Sequence, residues 1–221
     1  MKPDAVLFDL DATLCRRRWS PETVLSGAFD EVGVTPYTTA SEMSAVVNDV
    51  PTAEDDVAFY TNCLEAAAAR TDATPERAEA VARSYHRAID YADVEFVPGA
   101  EAALRETDAP LGLVTNGSEA TQRAKLDALG IADRFDVRVF ADTGGIKPDP
   151  APFEHALSEL DVDPQGTVHV GDSLQADVAG ANALGIRSVW ISHGEAGPVD
   201  EVRPDHIIES PVGLPDLLRT T

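Results

Sequence analysis

Lysine is almost missing from this sequence of 221 residues: Lys2, Lys125 and Lys147 stand against fourteen arginines. Positive charge of any kind is short, with 17 basic side chains against 39 acidic ones and a net charge of −22. A field of that sign repels nucleic-acid phosphates and anionic bilayers, so neither is an expected partner. Cysteine is also scarce. Cys15 and Cys63 are too few for a disulfide framework, which excludes a small disulfide-stapled domain. No apolar run is long enough to span a bilayer. The first residues enter a core strand without a charged leader and apolar stretch, so the expected location is cytoplasmic. The acids are spread throughout, including Asp55-Asp56, Asp133, Asp136, Asp161, Asp163, Asp200-Glu201 and Asp205. Even spacing and lysine scarcity favour adaptation to a high-salt cytoplasm over a concentrated acidic interaction surface.

What is present is a set of polar residues at the ends of apolar runs. Val6-Leu7-Phe8 reads as a strand buried on both faces and runs into Asp9-Leu10-Asp11-Ala12-Thr13. Residues i and i+2 of a strand point the same way, so Asp9 and Asp11 are expected to leave the sheet end side by side. Paired carboxylates repel unless a cation offsets them. One can then act as nucleophile and metal ligand while the other handles protons. Three more runs follow the same plan: Leu111–Val114 before Thr115-Asn116-Gly117, Val137–Phe140 before Ile146-Lys147-Pro148-Asp149-Pro150, and Val168–Val170 before Gly171-Asp172-Ser173 with Asp177 beyond. Polar groups at the carboxyl ends of several strands fit the crevice where open α/β sheets bind ligands.

The ordered set D-x-D-x-T, T-N-G, K-P-D-P and G-D-S-x-x-x-D resembles the haloacid dehalogenase (HAD) superfamily, and the match runs from Asp9 to Asp177. The resemblance implies a magnesium-dependent phosphohydrolase acting through an aspartyl-phosphate, with an α-helical cap inserted after the first motif. Asp9 is then the nucleophile and Asp11 the general acid/base. Magnesium, which wants hard oxygen donors, is expected on Asp9 and Asp172, on the main-chain carbonyl of Asp11, and on Asp177 through water or by orientation. Thr115 and Asn116 are expected to donate to the phosphoryl oxygens and Lys147 to balance their charge; its scarcity as a residue type marks it further. Ala12 stands where glycine is common, with little consequence expected.

Asp11 argues against dehalogenation, which needs no leaving-group acid, and the absence of lysine from 16–92 argues against a Schiff-base phosphonatase. A phosphosugar mutase keeps all four motifs and is the enzymatic alternative; a non-catalytic regulatory protein on the same scaffold is the other. The expected partner is a small phosphorylated metabolite of phosphoglycolate, sugar-phosphate or nucleotide type.

The fold expected is α/β: a Rossmann-like parallel sheet with helices on both faces over 1–15 and 93–221, and a four-helix insertion over 16–92 with no strand of its own. Helix starts are read at Ser20-Pro21, at the capping box Thr39–Glu42, at Thr52 and at Thr74-Pro75-Glu76, the last helix running to about Tyr91. Ser118 is placed to cap a helix that stops at Gly130. Bland readings accompany the sharper ones: Asp172 as a helix N-cap, His169 as a hydrogen-bonded core histidine, Cys15 as a packed thiol, and Arg16-Arg17-Arg18 as a solvated hinge.

Overall fold

The computed structural model describes residues 2–47, 49–51, 53–194 and 202–220, and the chain divides into two compact units, Met1–Arg17 with Tyr91–Thr221, and Arg18–Asp90. The first unit holds strands β1 (Ala5–Phe8) and β2 (Cys15–Arg17); the second holds helices α1 (Pro21–Val32), α2 (Ala40–Ser44), α3 (Asp56–Arg70) and α4 (Ala78–Ala88). The first unit then continues through β3 (Val94–Phe96), α5 (Ala100–Glu106), β4 (Leu111–Val114), α6 (Glu119–Leu129), β5 (Val137–Val139), α7 (Ala141–Gly144) and α8 (Ala151–Leu160). It ends with β6 (Thr167–Gly171), a π-helical turn Leu174–Val178 leading into α9 (Ala179–Leu184), β7 (Arg187–Ile191), β8 (His206–Ile208) and α10 (Leu214–Thr220).

Six strands form one parallel sheet in the order β5-β4-β1-β6-β7-β8. Counted along the chain this is the doubly wound order 3-2-1-4-5-6, whose direction reverses between β1 and β6. β1, β4 and β6 are buried along their whole length, as their continuous apolar runs require. Strand alternation divides the core. Val6, Phe8 and Leu113 face one cluster with Leu104, Leu126 and Leu214, while Leu7 and Val114 face another with Phe153, Leu157 and Ile186. Each fully buried side chain of this size contributes about 1.5–3 kcal/mol, which fixes β1 at the centre and its carboxyl end at the reversal point.

The expected absence of a strand near the insertion is corrected by β2 and β3, which pair antiparallel through Cys15↔Phe96, Arg16↔Glu95 and Arg17↔Val94. Arg16 and Arg17 stand in this ladder and are exposed, the Arg16 guanidinium 2.7 Å from Glu95. Three-residue strands carry no readable periodicity, which is why the sequence hid them.

Within Arg18–Asp90, α4 packs against both α1 and α3. Its buried face, Ala78, Val81, Ala82 and Tyr85, meets Cys63, Leu64, Ala67 and Ala68 of α3 and Leu25, Ala28 and Phe29 of α1. The Ser20 cap and the Thr39–Glu42 capping box both form. Thr52 lies outside the described residues; α3 starts later, behind Asp55, whose carboxylate accepts from Ala58 N–H at 2.8 Å. α4 begins at Ala78 rather than at Pro75, because Arg77 turns through the left-handed region and donates to the Val32 carbonyl at the end of α1 (2.8 Å).

Candidate active site

Asp9 follows β1 directly, its main-chain N–H bonded to Val170 O of β6 (2.9 Å), so the first carboxylate is registered to the strand across the reversal point. Lys147, in the loop after β5 and α7, reaches it: Nζ lies 2.7 Å from Asp9 Oδ1, 2.6 Å from Asp177 Oδ1 and 2.8 Å from Val114 O. All three ammonium hydrogens thus have an acceptor, as burial of a charge demands. Asp177 also takes His169 Nε2 (2.9 Å) and Ser173 N–H (3.0 Å). Gly171 makes this possible, since a Cβ there would lie 2.2 Å from the Asp177 carboxyl carbon. Each of Asp9, Asp172 and Asp177 offers an oxygen, and the three oxygens lie within 4.8 Å of one another. Such a group of hard donors around one point suits a divalent ion of the magnesium type.

One ammonium cannot neutralise three acids. Burial works to raise Asp177, but Lys147 and His169 outweigh it and hold that carboxyl well below the usual carboxylate range. Asp9 is driven up to about 7 by burial and by the Asp177 charge, against the pull of Lys147. Asp172 is driven up to about 8 by burial and by its neighbours Asp9 and Asp177. Burial alone would lower Lys147; Asp177 and Asp9 reverse that and keep it charged. Burial also depresses His169, the hydrogen-bonded core histidine expected from its apolar setting. Asp172 does not cap the following turn. Ser173 does, its hydroxyl accepting from Ala176 N–H (3.1 Å).

Thr115 ends β4 and is buried. Asn116 forms a reciprocal pair with the Lys147 backbone, Nδ2 to Lys147 O (3.0 Å) and Oδ1 from Lys147 N–H (2.7 Å). Its side chain therefore staples two loops together. Ser118 occupies the N-cap position of α6 but bonds Thr121 Oγ1; the Asp142 carboxylate accepts from Glu119 N–H instead (3.0 and 3.2 Å). Gly130 closes α6 in the left-handed region as expected.

Asp9 and Asp11, expected side by side, take different lysine partners. β1 stops at Phe8, so the chain is turning by Asp11, and the strand rule no longer applies. Leu10 O takes the N–H groups of Leu14 and Cys15, and Ala12 sits at φ 58, a strained conformation for alanine. The Asp11 carboxylate pairs with α6 rather than with Lys147. Lys125 Nζ lies 2.7 Å from both of its oxygens and Gln122 Nε2 lies 2.9 Å from Oδ2. Partial burial works to raise Asp11, but Lys125, Gln122 and Arg17 outweigh it and lower its pKa. Cys15, buried nearby, is pushed up to about 12 by its apolar surroundings, which keeps it an inert thiol.

Gln122 and Lys125 are the residues that sequence reasoning missed. The signal for Lys125 was available: the scarcity that singles out Lys147 applies equally to it. Gln122 sits one turn before it on the same face, seven residues beyond Thr115.

Comparison with known proteins gives the family. A phosphoglycolate phosphatase of Cereibacter sphaeroides is 31% identical over 223 residues, covering 97% of each chain. A phosphoserine phosphatase of Thermus thermophilus is 38% identical over 135 residues; there the match spans 59% of this chain and about half (53%) of the relative. A HAD-hydrolase of Bacillus subtilis, solved bound to magnesium, superposes with a TM-score of 0.78 at 19% identity, covering 99% of each chain, which speaks for the fold. The family model for haloacid dehalogenase-like hydrolases matches residues 6–191, and no described helix is long and apolar enough to cross a membrane. With its four motifs at the carboxyl ends of four adjacent parallel strands, the chain belongs to the haloacid dehalogenase-like hydrolases.

Proposed function

We propose that the protein is a magnesium-dependent phosphohydrolase that cleaves a small phosphomonoester through an aspartyl-phosphate on Asp9. The observation that carries this reading is convergence. Lys147 Nζ lies 2.7 Å from Asp9, and an oxygen of Asp172 lies within 4.8 Å of one on Asp9, though the three residues come from separate parts of the chain. The phosphatase names of the relatives support the same reaction class.

In this reading substrate is taken up by the form in which Asp11 carries a proton; Asp9 attacks phosphorus, the bond to the leaving oxygen breaks, and Asp11 passes that proton to the leaving oxygen. Asp11 then takes a proton from water, which attacks the phosphoenzyme, breaks the bond to Asp9 and releases inorganic phosphate. Asp9, Asp172 and the main-chain carbonyl of Asp11 would hold magnesium, which would supply positive charge against the phosphoryl oxygens. Asp177, already engaged by Lys147, His169 and Ser173, supports that set as an orienting group. Thr115 donates its hydroxyl to the phosphoryl group, and Asn116 serves it through the main-chain N–H while its side chain staples the Lys147 loop. Arg18–Asp90 acts as the cap that selects the leaving group. The acidic, lysine-poor composition supports a salt-rich cytoplasmic setting.

The test is a screen of phosphoglycolate, sugar phosphates and nucleotides with magnesium, at low salt and in molar KCl. Phosphate release is expected from at least one, abolished by EDTA and reduced more than about a thousandfold by Asp9→Asn. Release that survives Asp9→Asn, or none from any substrate at any salt level, removes the reading.

A further inference from the structure

Two residues of α6 that no step above uses bind the groups that the reaction does use. Gln122 Nε2 reaches Asp11 Oδ2 and Thr115 Oγ1, both at 2.9 Å. A carboxylate only accepts, so the amide must turn its nitrogen to this side. Thr115 Oγ1 already accepts from Gly117 N–H (3.3 Å), and Gln122 fills its second acceptor position. A hydroxyl with both acceptor positions taken has its one hydrogen left to give, and gives it outward. Lys125, one turn further along α6, spans both oxygens of Asp11 at 2.7 Å and fixes the plane of the carboxylate.

The surroundings are shaped to allow this. Gly117 leaves the path open, since a Cβ there would lie 1.9 Å from Gln122 Nε2. Asp142 anchors the first N–H of α6. Gln122 is buried and its Oε1 has no partner among the described residues, a cost to stability that a merely structural glutamine would avoid by meeting both ends of its amide.

We propose that Gln122 and Lys125 are positioning residues for phosphoryl transfer: Gln122 sets Thr115 as a hydrogen-bond donor to the phosphoryl group, and together with Lys125 it holds Asp11 in line with the leaving-group oxygen. This rests on the reading of Asp11 as the acid/base. It predicts dependence on the leaving group. An alkyl phosphate needs a proton for its alkoxide; p-nitrophenolate leaves without one.

The experiment measures kcat/KM with magnesium for β-glycerophosphate and for p-nitrophenyl phosphate, on variants whose melting curves establish that they are folded. Lys125→Met is expected to lower kcat/KM for β-glycerophosphate about tenfold to a hundredfold and for p-nitrophenyl phosphate less than about threefold. Lys125→Arg restores most of the loss. Gln122→Ala lowers both substrates, because Thr115 loses its orientation. In an Asp11→Asn background, Lys125→Met adds less than about a twofold effect. Equal losses on both substrates for Lys125→Met, or full additivity with Asp11→Asn, overturn the proposal. Wild-type protein that turns over neither substrate, nor any phosphoester of the screen above at any salt level, removes the phosphatase reading and this inference with it. A leaving-group-dependent loss in Asp11→Asn with none in Lys125→Met removes this inference alone.

Discussion

Lys147–Asp9 and Lys125–Asp11 are both lysine–aspartate pairs at 2.7 Å near the carboxyl end of β1, and they stand in opposite surroundings. The side chains of the first pair are 2% and 9% exposed; those of the second are 12% and 55% exposed. A buried pair loses its hydration and must be fully satisfied, which Lys147 achieves with three acceptors. An exposed pair is screened by water and salt and adds little to stability. Equal distances therefore mean different things: the first pair is part of the core, and the second leaves its carboxylate half-exposed.

The largest test of that contrast is Lys147→Met, which leaves the acids of the trio without their cation. It is expected to cost about 3–5 kcal/mol in urea unfolding, against at most about 1 kcal/mol for Lys125→Met. Similar costs for the two variants would break the comparison.

Proton linkage sharpens it next. Asp9 and Asp172 have pKa values raised in the folded protein above the ordinary 3.8, to about 7 and about 8. The fold binds those protons more tightly than the unfolded chain. Their contribution to stability is therefore complete below about pH 4 and lost as pH rises toward 8. Without metal, the melting temperature should fall across that window. Magnesium should raise it most at the alkaline end and release protons on binding, which calorimetry in buffers of different ionisation enthalpy measures. Asp11, whose pKa is lowered, contributes a constant amount across this window and loses it only at more acid pH. A magnesium shift independent of pH would show that the trio does not hold the ion.

The smallest effect concerns the Asp11 turn. Ala12 at φ 58 is strained in a way glycine is not, and glycine's greater freedom in the unfolded chain offsets part of the relief. Ala12→Gly is expected to stabilise by up to about 1 kcal/mol, read as a rise in melting temperature. A clear fall would mean that the contact of His193 with Ala12 O (2.8 Å) depends on the alanine conformation.

The sheet strands were legible because each is a short apolar run, and the polar residues that end those runs stand in the site. Asp9, Thr115, Lys147 and Asp172 could be placed at strand ends without coordinates, since a parallel sheet sends its loops to one edge. The Asp11 environment was not legible. Its partner Lys125 lies 114 residues away on a helix whose polar face reads as solvated. The burial of Asp177 was hidden as well, because its position beyond Ser173 fits an exposed turn equally well. Asn116 was expected to meet phosphate, and only its two bonds to Lys147 reveal the staple.

Sequence alone determined the strand order's ingredients, the family, and which residue types stand at the sheet's edge, because burial pattern and loop chemistry are local properties of the chain. Tertiary structure decided which carboxylates share Lys147, which one pairs with α6, and which have their pKa raised. Those outcomes depend on distance and dielectric between groups that the sequence keeps far apart.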